Sequence, residues 1–375
     1  MDKFSSVKRI LLITGIYPPD IGGPATYIPQ LASFLKAVGW EVKVLTLSSN
    51  DTKDVSFSGQ VTRVRRSLPL PIRVPLTILK GWWVGRSANV ILVNGLYEEG
   101  ALISLLTRAP LVAKVVGNPV WEKINSANPS SQPSEAQFIK FSSKPLKFGS
   151  RMRAKIWVWS LQRARVIYVP GQILKEHLRN FGLIGEIELI SNGVPVLDST
   201  EVCKEVDVVA VSRLVPWKNI DILIESAVRY GFSLEIIGEG PQEESLKAQA
   251  SMRANIKFLG RLSPEKVHSR LKRARIFALL SNYEGMSFSL IEALAAGTPC
   301  VVSDIRSNLD VIASGGGVKV PLRDAESTGK VLRDLLGDEI RLASLGNAAL
   351  KNVDANFGLK QTLEKAERLL IRYAR

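Results

Sequence analysis

The stretch Ser281–Asp304 reads SNYEGMSFSLIEALAAGTPCVVSD, a short polar loop followed by two apolar runs that a glycine separates. Spacing and length predict a loop, a buried helix and a buried strand, in the order of a parallel α/β fold. Glu284 opens the loop, and Glu292 follows eight positions later inside the predicted helix. A carboxylate beside Leu290 and Ile291 is costly unless a partner compensates its charge. Both glutamates therefore need partners.

Two kinds of partner fit Glu292, and the residues alone leave both open. Ser289 and Glu292 have the spacing of a capping box, in which the serine caps the helix and the carboxylate bonds back to the cap amide. That interpretation needs no ligand, but it does not explain Glu284. The alternative is a ligand that both carboxylates bind.

The bulk composition indicates a globular chain of two domains. A length of 375 residues exceeds one ordinary core, and 46% hydrophobic with 23% charged residues is typical of folded proteins. Cys203 and Cys300 lie far apart, which predicts neither a disulfide framework nor a metal cluster and favours the cytoplasm. Neither a signal peptide nor a membrane-spanning apolar stretch is evident, so we expect a soluble protein.

The positive charge is concentrated in the first half of the chain. Residues 1–200 carry 25 Lys+Arg against 13 Asp+Glu, which accounts for +12 of the net +15, and six of the seven tryptophans. Such a surface is compatible with phospholipid headgroups, lipid-diphosphate carriers or nucleic acid, and charge alone does not choose among them.

The first half has the alternation of strands and helices expected of a parallel sheet. VKRILLITG, YIPQLASFLKAVG and WEVKVLTLS form a strand–helix–strand pattern. Later strands are predicted at Val61–Arg65, Val90–Asn94, Leu111–Val116 and Val166–Pro170. Asn125–Gly149, rich in Ser, Pro, Gln and Lys, predicts a mobile loop.

The second half repeats this alternation, from VDVVAVSRL through NIDILIESAVRYG and FSLEIIGEG to TPCVVSD. The pattern predicts a second doubly wound sheet, with a linker at Asn192–Glu205. We expect domains at 1–195 and 196–355, and a C-terminal helix at 356–375 that packs back towards the first domain. Ligands are expected between the domains, at the carboxyl ends of the strands.

Several features suited to anions follow predicted strands. Gly22 and Gly23 precede a helix and permit close approach of backbone amides to an anion, although a simple tight turn fits equally well. No Gly-x-Gly-x-x-Gly fingerprint is present, which disfavours a dinucleotide-dependent dehydrogenase. Arg213 and Lys218 are suited to bind a diphosphate, because arginine chelates oxygens and lysine supplies a point charge. The glycine turn at Ile237–Pro241 permits close approach of a ligand.

Together these segments resemble a known family. YPPDIGGPATYIPQLASFLKAVGWEVKVLT, VSRLVPWKNID, IIGEGPQ, FLGRLSPEKV and YEGMSFSLIEALAAGTPCVVSD occur in this order between Tyr17 and Asp304. The ordered set is similar to the retaining glycosyltransferases of family 4. The resemblance implies the GT-B architecture, in which two Rossmann-like domains hold a nucleotide-sugar between them, mainly through the C-terminal domain.

The resemblance also implies roles for individual residues. Arg213 and Lys218 would hold the donor diphosphate, Glu284 would bond the transferred sugar, and Glu292 would bond the ribose. The implied donor site comprises Gly22, Gly23, Arg213, Lys218, Gly240, Arg261, Glu284, Met286, Ser287, Phe288, Ser289 and Glu292. The sequence contains no Asp-x-Asp, so we expect no metal and no cofactor besides the donor, with Arg213 and Lys218 taking the metal's electrostatic part.

One position departs from the family pattern. Asn118 stands in VAKVVGNPVWEK, where many relatives place a histidine or an aspartate that faces the reacting sugar. An asparagine can position substrate but cannot act as a base. This leaves open a substrate-assisted enzyme, a role for Glu122, or an inactive relative. We expect both His177 and His268 to be surface residues of helices without a catalytic role.

The sequence thus favours a retaining, metal-independent glycosyltransferase that acts on a glycan or lipid-linked acceptor in polysaccharide or glycolipid synthesis. The alternatives are a non-catalytic nucleotide-sugar binder and a GT-B epimerase. The segments SLPLPIRVPLTILKGWWVGR and SKPLKFGSRMRAKIWVWSLQRARV mix cations with tryptophans, so contact with an anionic membrane face and burial in the core both remain open. No nucleic-acid module is present, and we expect none as a partner.

Overall fold

The computed structural model describes residues 7–20, 22–49, 60–126, 132–195, 203–250 and 255–375. The strands of the first domain are β1 (Arg9–Thr14), β2 (Glu41–Ser48), β3 (Gln60–Arg65), β4 (Val90–Asn94), β5 (Leu111–Lys114), β6 (Val166–Val169) and β7 (Glu186–Leu189). They form one parallel sheet in the order β3-β2-β1-β4-β5-β6-β7. The chain reverses its direction of winding between β1 and β4, which opens a crevice at the carboxyl ends of these strands.

Helices cover both faces of this sheet. They are α1 (Gly23–Ala37), α2 (Leu70–Gly85), α3 (Tyr97–Thr107), α4 (Pro119–Ser126), α5 (Glu135–Ile139), α6 (Phe148–Gln162) and α7 (Gln172–Asn180), with a 3-10 helix at Lys140–Ser143. Successive side chains of β1 point to opposite faces. Leu11 and Ile13 join the core under α2, α3 and α6, whereas Ile10 and Leu12 join the core under α1.

The second domain repeats the arrangement with six parallel strands. They are β8 (Val206–Val211), β9 (Leu234–Ile237), β10 (Ile256–Gly260), β11 (Ala274–Leu279), β12 (Cys300–Ser303) and β13 (Gly317–Val320). Their order is β10-β9-β8-β11-β12-β13. The helices are α8 (Ile220–Tyr230), α9 (Glu243–Gln249), α10 (Pro264–Arg273), α11 (Phe288–Ala295), α12 (Arg306–Ile312), α13 (Ala325–Leu336), α14 (Glu339–Asn356) and α15 (Leu359–Tyr373). The prediction of two doubly wound parallel sheets is confirmed.

The last helix, α15, leaves the second domain and packs on the first. Leu363 and Leu369 are buried in the same core cluster as Ile10 and Leu12 of β1. The Nε1–H of Trp40 donates to Glu367 Oε1 at 3.1 Å. The predicted boundary at 195/196 borders residues 196–202, which lie outside the described residues together with part of the predicted linker, so the boundary stays a prediction.

The prediction of a mobile loop at Asn125–Gly149 is wrong for its described part. The segment contains α5 and the 3-10 helix, and the rings of Phe138 and Phe141 are buried in the first domain. Glu135 reaches the second domain, where its carboxylate accepts hydrogen bonds from the amides of Arg306 and Ser307, both at 2.8 Å. Tertiary contacts of two aromatic rings and one carboxylate hold a segment whose composition indicated a loop.

Candidate active site

The first turn of α11 forms one wall of the cleft between the domains. Ser287 is the N-cap, and its Oγ accepts a hydrogen bond from the amide of Leu290 at 3.4 Å. Of the two interpretations left open for Glu292, the capping box with Ser289 does not form, because the cap lies two residues earlier. The hydroxyl of Ser289 instead pairs with that of Ser287 at 3.0 Å. The other amides of this turn have no partner within the helix and lie at the positive end of its dipole.

Glu284 is held by two groups at one carboxylate oxygen. Lys218, which ends a 3-10 turn at Pro216–Lys218, donates from Nζ to Oε1, and Ser281 Oγ donates to the same oxygen at 2.6 Å. The Glu284 side chain is 11% exposed and that of Lys218 15%, so both charges are largely removed from water. Among the described residues, no hydrogen bond reaches the second oxygen, Oε2. That oxygen is available to a ligand.

A cavity of about 270 Å³ lies directly against this pair. Its walls come from both domains and consist of Val116, Glu122, Arg213, Trp217, Tyr283, Glu284, Gly285 and Met286. The domains approach closely here, because a Cβ built on Gly285 would lie 2.8 Å from the carbonyl oxygen of Val116. One cationic and two acidic side chains thus share one small space with the loop Gly285–Met286, which leads into α11.

Two of the charged groups in this cavity belong to opposite domains. Arg213 follows the end of β8 and is exposed, and it makes no ion pair among the described residues. Glu122 lies on α4 of the first domain, where its surface is open to the cavity. The surrounding protein raises the pKa of Glu122, and the positive charge of Arg213 partly offsets that rise. A guanidinium without a fixed carboxylate partner suits a phosphate.

Glu292 lies in the second turn of α11, after Phe288–Ile291, and is half-buried. Burial raises the pKa of its carboxyl from 4.5 to about 7, and no positive partner counters the effect. No hydrogen bond to its carboxylate is present among the described residues. With the helix cap at Ser287, this carboxylate has no compensating group in the described part of the chain.

Glycines bring the first domain close to α11. Gly22 is the N-cap of α1, with a φ of 149°, and a Cβ built on Gly23 would lie 3.4 Å from Cε2 of Phe288. The glycine pair therefore sits opposite the first turn of α11, as the sequence predicted. Gly171, which precedes α7, lies next to Gly285, since its Cβ would be 3.1 Å from the Gly285 carbonyl oxygen.

The other predicted donor residues lie outside the 270 Å³ cavity. Gly240 packs so closely on the Leu214 backbone that a Cβ would lie 2.3 Å from the Leu214 carbonyl oxygen. It borders a separate depression of about 480 Å³ with Pro241 and Lys247. Arg261 is exposed and lines neither space.

Asn118 is completely buried and makes hydrogen bonds at both ends of its amide. Its Oδ1 accepts from the amides of Val120 at 2.9 Å and Trp121 at 3.1 Å, and so caps α4. Its Nδ2 lies 2.9 Å from Nε2 of His177, whose Nδ1 lies 2.7 Å from the carbonyl oxygen of Phe138. This arrangement fits an imidazole that donates through Nδ1 and accepts at Nε2.

The prediction that His177 is a surface residue is wrong. The ring is 1% exposed and stacks on Phe138 with centroids 3.8 Å apart. Burial lowers its pKa to about 4, so the imidazole is neutral at physiological pH. Asn118 and His177 together support α4, the helix that carries Glu122, and neither lines the 270 Å³ cavity. His268 is half-buried rather than at the open surface.

Sequence reasoning missed three residues of this site. Ser281 fixes Glu284, and Trp217 and Tyr283 line the cavity. Trp217 and Tyr283 directly precede Lys218 and Glu284 in the sequence, and Ser281 lies three positions before Glu284. This proximity to predicted residues was the signal, since no spacing pattern marked the three residues. Lys114 was also missed: it is fully buried and donates from Nζ to Asn192 Oδ1 at 3.2 Å, while Asn192 Nδ2 donates to the Met286 carbonyl at 3.4 Å.

Comparison with known proteins agrees with the geometry. The family model described as Glycosyltransferase Family 4 matches residues 21–196, and that of Glycosyl transferases group 1 matches residues 198–352. The chain belongs to glycosyltransferase family 4. The glycosyltransferase is 25% identical, over 98% of both chains, to the GDP-mannose-dependent monoacylated alpha-(1-6)-phosphatidylinositol monomannoside mannosyltransferase of Corynebacterium glutamicum. It is 29% identical to glycogen synthase of Mycobacterium tuberculosis, over 93% of this chain and 91% of that one.

Solved structures show that this glycosyltransferase has the GT-B fold. Sucrose-phosphate synthase of Thermosynechococcus elongatus superposes with a TM-score of 0.75 at 19% identity, over 97% of this chain and 98% of that one. Anabaena HepE in complex with UDP-glucose superposes with a TM-score of 0.73 at 16% identity, over 96% and 99%. Within the described residues, no helix is long and apolar enough to cross a membrane, and no group of three or more metal-ligating side chains is found.

Proposed function

We propose that this chain transfers a sugar from a nucleotide-sugar to a hydroxyl of a glycan or lipid-linked acceptor, with retention of anomeric configuration and without a metal ion. The observation that carries the proposal is the Lys218–Glu284 pair, whose Glu284 lines one cavity with Arg213 and the loop that leads into α11. Family membership and relatives named for mannosyl and glycogen synthesis support this reading.

The proposed roles follow from charge and position. Arg213, Lys218 and the amides at Met286–Ser289 hold the diphosphate and stabilise the negative charge that builds on it as the glycosidic bond breaks. The Oε2 atom of Glu284 accepts hydrogen bonds from hydroxyls of the transferred sugar. Lys218 and Ser281, which donate to Oε1, keep the carboxylate oriented. Cations and helix amides supply the electrostatic stabilisation that a metal ion supplies in other transferases.

Glu292 and the glycine loop complete the donor site. The Glu292 carboxylate has no hydrogen bond within the described protein, so ribose hydroxyls give it the partners that its burial demands. Gly22 and Gly23, opposite Phe288, close over the diphosphate from the first domain. Gly240 and Arg261 belong to the outer part of the donor site in this proposal.

Asn118 acts in this proposal as a positioning residue and Glu122 as the chargeable group at the reacting sugar. The structure gives Asn118 the cap of α4, four residues before Glu122. Transfer with retention can proceed by front-face attack, in which the leaving phosphate oxygen takes the acceptor proton, so no strong base is required. Glu122 then orients the acceptor hydroxyl.

The acceptor reaches the site from a membrane surface at the first domain. Along α6, Phe148, Met152, Ile156 and Trp159 follow one another at helical spacing, and their exposed fractions range from 39% to 79%. The cations of α6 stand beside this stripe, which favours an anionic interface over a neutral one. In this proposal the enzyme works at the cytoplasmic face of a membrane.

The proposal is tested with a panel of nucleotide-sugars added without metal, read by thermal shift and by release of nucleoside diphosphate. One donor class should stabilise the wild type and be turned over, and Glu284→Gln should lose turnover while it keeps its fold. Asp334→Asn, an exposed carboxylate on α13, is the matched control and should behave as the wild type. Donor binding without any release of diphosphate would instead identify a non-catalytic binder.

A further inference from the structure

A second large cavity lies at the opposite end of the first domain from the donor site. Its volume is about 900 Å³, and it opens where β5 and β6 begin, whereas the donor site lies where strands end. Five arginines are among its lining residues: Arg108, Arg163, Arg165, Arg372 and Arg375. No aspartate or glutamate is among the described residues that line it.

The five arginines differ in whether protein groups already pair with their guanidinium charges. Arg372 pairs with Glu188 and Glu186, and Arg375 donates from Nη2 to the Ala88 carbonyl at 3.2 Å. The side chains of Arg108, Arg163 and Arg165 are exposed and make no hydrogen bond or ion pair within the described chain. Three guanidinium groups are therefore left for an external anion.

Arg108 occupies an unfavourable backbone conformation. It ends α3 in the left-handed region, with a φ of 57°, where glycine is the usual residue. Local strain of this kind is found at binding sites more often than elsewhere. A glycine at position 108 would relieve the backbone but would remove the guanidinium from the mouth of the cavity.

Exposed apolar side chains stand next to the same cavity. Leu105 and Leu106, on the last turns of α3, are 44% and 57% exposed, and Leu105 lines the cavity. The last turns of α2 lie alongside, because a Cβ on Gly81 would lie 2.2 Å from Cδ1 of Ile103. The neighbouring Trp82 and Trp83 are 39% and 59% exposed. The guanidinium of Arg86 lies over the ring of Trp83, 4.0 Å from its centroid, and tryptophans are enriched at membrane–water interfaces.

We propose that the cavity defined by Arg108, Arg163 and Arg165 binds the phosphate headgroups of anionic phospholipids, with Leu105, Leu106 and the two tryptophans lying at the acyl boundary. This inference rests on the membrane contact proposed above for α6 and adds a second point of contact on the same domain. A soluble phosphate would contact the arginines and not the adjoining apolar side chains. A phospholipid would contact the arginines through its headgroup and the apolar side chains through its acyl chains.

The test measures sedimentation of the full chain with vesicles of phosphatidylcholine alone and of phosphatidylcholine with phosphatidylglycerol. We compare the wild type with Arg163→Gln/Arg165→Gln and with the control Arg341→Gln, an exposed arginine of the second domain. Neutralising two cations at an anionic surface should lower the partition coefficient about 25-fold. The control should bind as the wild type, and all three proteins should release nucleoside diphosphate from the donor at equal rates.

Each other outcome overturns the inference in a distinguishable way. Equal binding of the double variant and the wild type would show that the arginine cavity is not the lipid site. Full displacement from vesicles by millimolar inorganic phosphate would assign the cavity to soluble phosphate. Failure of the wild type to bind anionic vesicles would refute the membrane contact as well, while unchanged donor turnover would leave the proposed transferase activity intact.

Discussion

Replacing Glu292 by glutamine should stabilise the folded protein while weakening donor binding. The carboxylate is half-buried in α11 without a partner, and burial raises its pKa from 4.5 to about 7. A rise of this size corresponds to a destabilisation of the charged native state by about 3 kcal/mol, since one pH unit corresponds to about 1.4 kcal/mol. Glutamine has nearly the same shape and carries no charge, so Glu292→Gln removes this cost.

The sign of the pH dependence follows from the direction of the shift. Between pH 4.5 and 7 the native state holds the Glu292 proton more tightly than the unfolded chain, so this residue makes stability fall as pH rises through that window. Below pH 4.5 the carboxyl is neutral in both states and the variant gains nothing. Above pH 7 the variant gains the full amount.

The assay is thermal unfolding of the wild type, Glu292→Gln and the control Asp334→Asn at pH 5 and pH 8. A gain of about 3 kcal/mol should raise the Tm by roughly 6–12 °C for a domain of this size at pH 8, and by far less at pH 5. Donor affinity measured by calorimetry should fall by about 10- to 100-fold, because a hydrogen bond to a charged group contributes about 1.5–3 kcal/mol. A variant that is less stable than the wild type at pH 8 would refute the reasoning, since it would show that the carboxylate has a stabilising partner.

Further predictions concern the cleft and its surroundings. Glu284→Gln should lower turnover about 100- to 1000-fold through loss of the charged partner of Lys218, with an unchanged circular dichroism spectrum; a loss below threefold contradicts the role. Gly285→Ala should raise the donor KM at least tenfold, because its Cβ would lie 2.8 Å from the Val116 carbonyl oxygen, and an unchanged KM would show that the domains yield. Chelation with EDTA should leave the rate within twofold, and recovery of a lost rate with Mg²⁺ would rule out metal independence. Lys114→Met should raise the Tm at pH 6 and raise it much less at pH 10. Burial lowers the pKa of Lys114 from 10.5 to about 7, so the cost of its charge falls as pH rises through that window and vanishes only when the amine of the unfolded chain is neutral too; a gain of the same size at both pH values contradicts this cause.

The sequence predicted the fold well because the fold rests on local patterns. Buried parallel strands are continuous apolar runs, and a run such as Val90–Asn94 is fully buried in the structure. The candidate donor residues were predicted from their order along the chain and from glycines at strand ends. In the structure Glu284 and Arg213 line one cavity, and Lys218 pairs with Glu284 beside it. The sequence was sufficient to predict the position of a residue where that position depends on the helix or strand to which the residue belongs.

The failures concern residues whose position depends on distant partners. The helix Glu135–Ile139 is too short to show a helical period, and it is held by Phe138, which packs on His177 from 39 positions away. The burial of His177 follows from the same contact. The N-cap of α11 is Ser287, not Ser289. Both serines are suited to cap a helix, and capping propensity alone does not choose between them.

Many buried polar groups of this protein have partners, as Asn118 has in the cap of α4 and His177 has in the Phe138 carbonyl. Others, such as the indole nitrogen of Trp157 and the side-chain amide of Asn94, have no hydrogen-bond partner among the described residues, so an unpaired polar group does not by itself mark a site. At the cleft, the carboxylate of Glu292 is largely buried and lacks a hydrogen bond among the described residues, which is costly to the folded state. The exposed Arg213 carries no such cost, but its guanidinium has no ion pair among the described residues. A single neutral substitution would remove the cost of Glu292, so its retention favours a ligand as the missing partner.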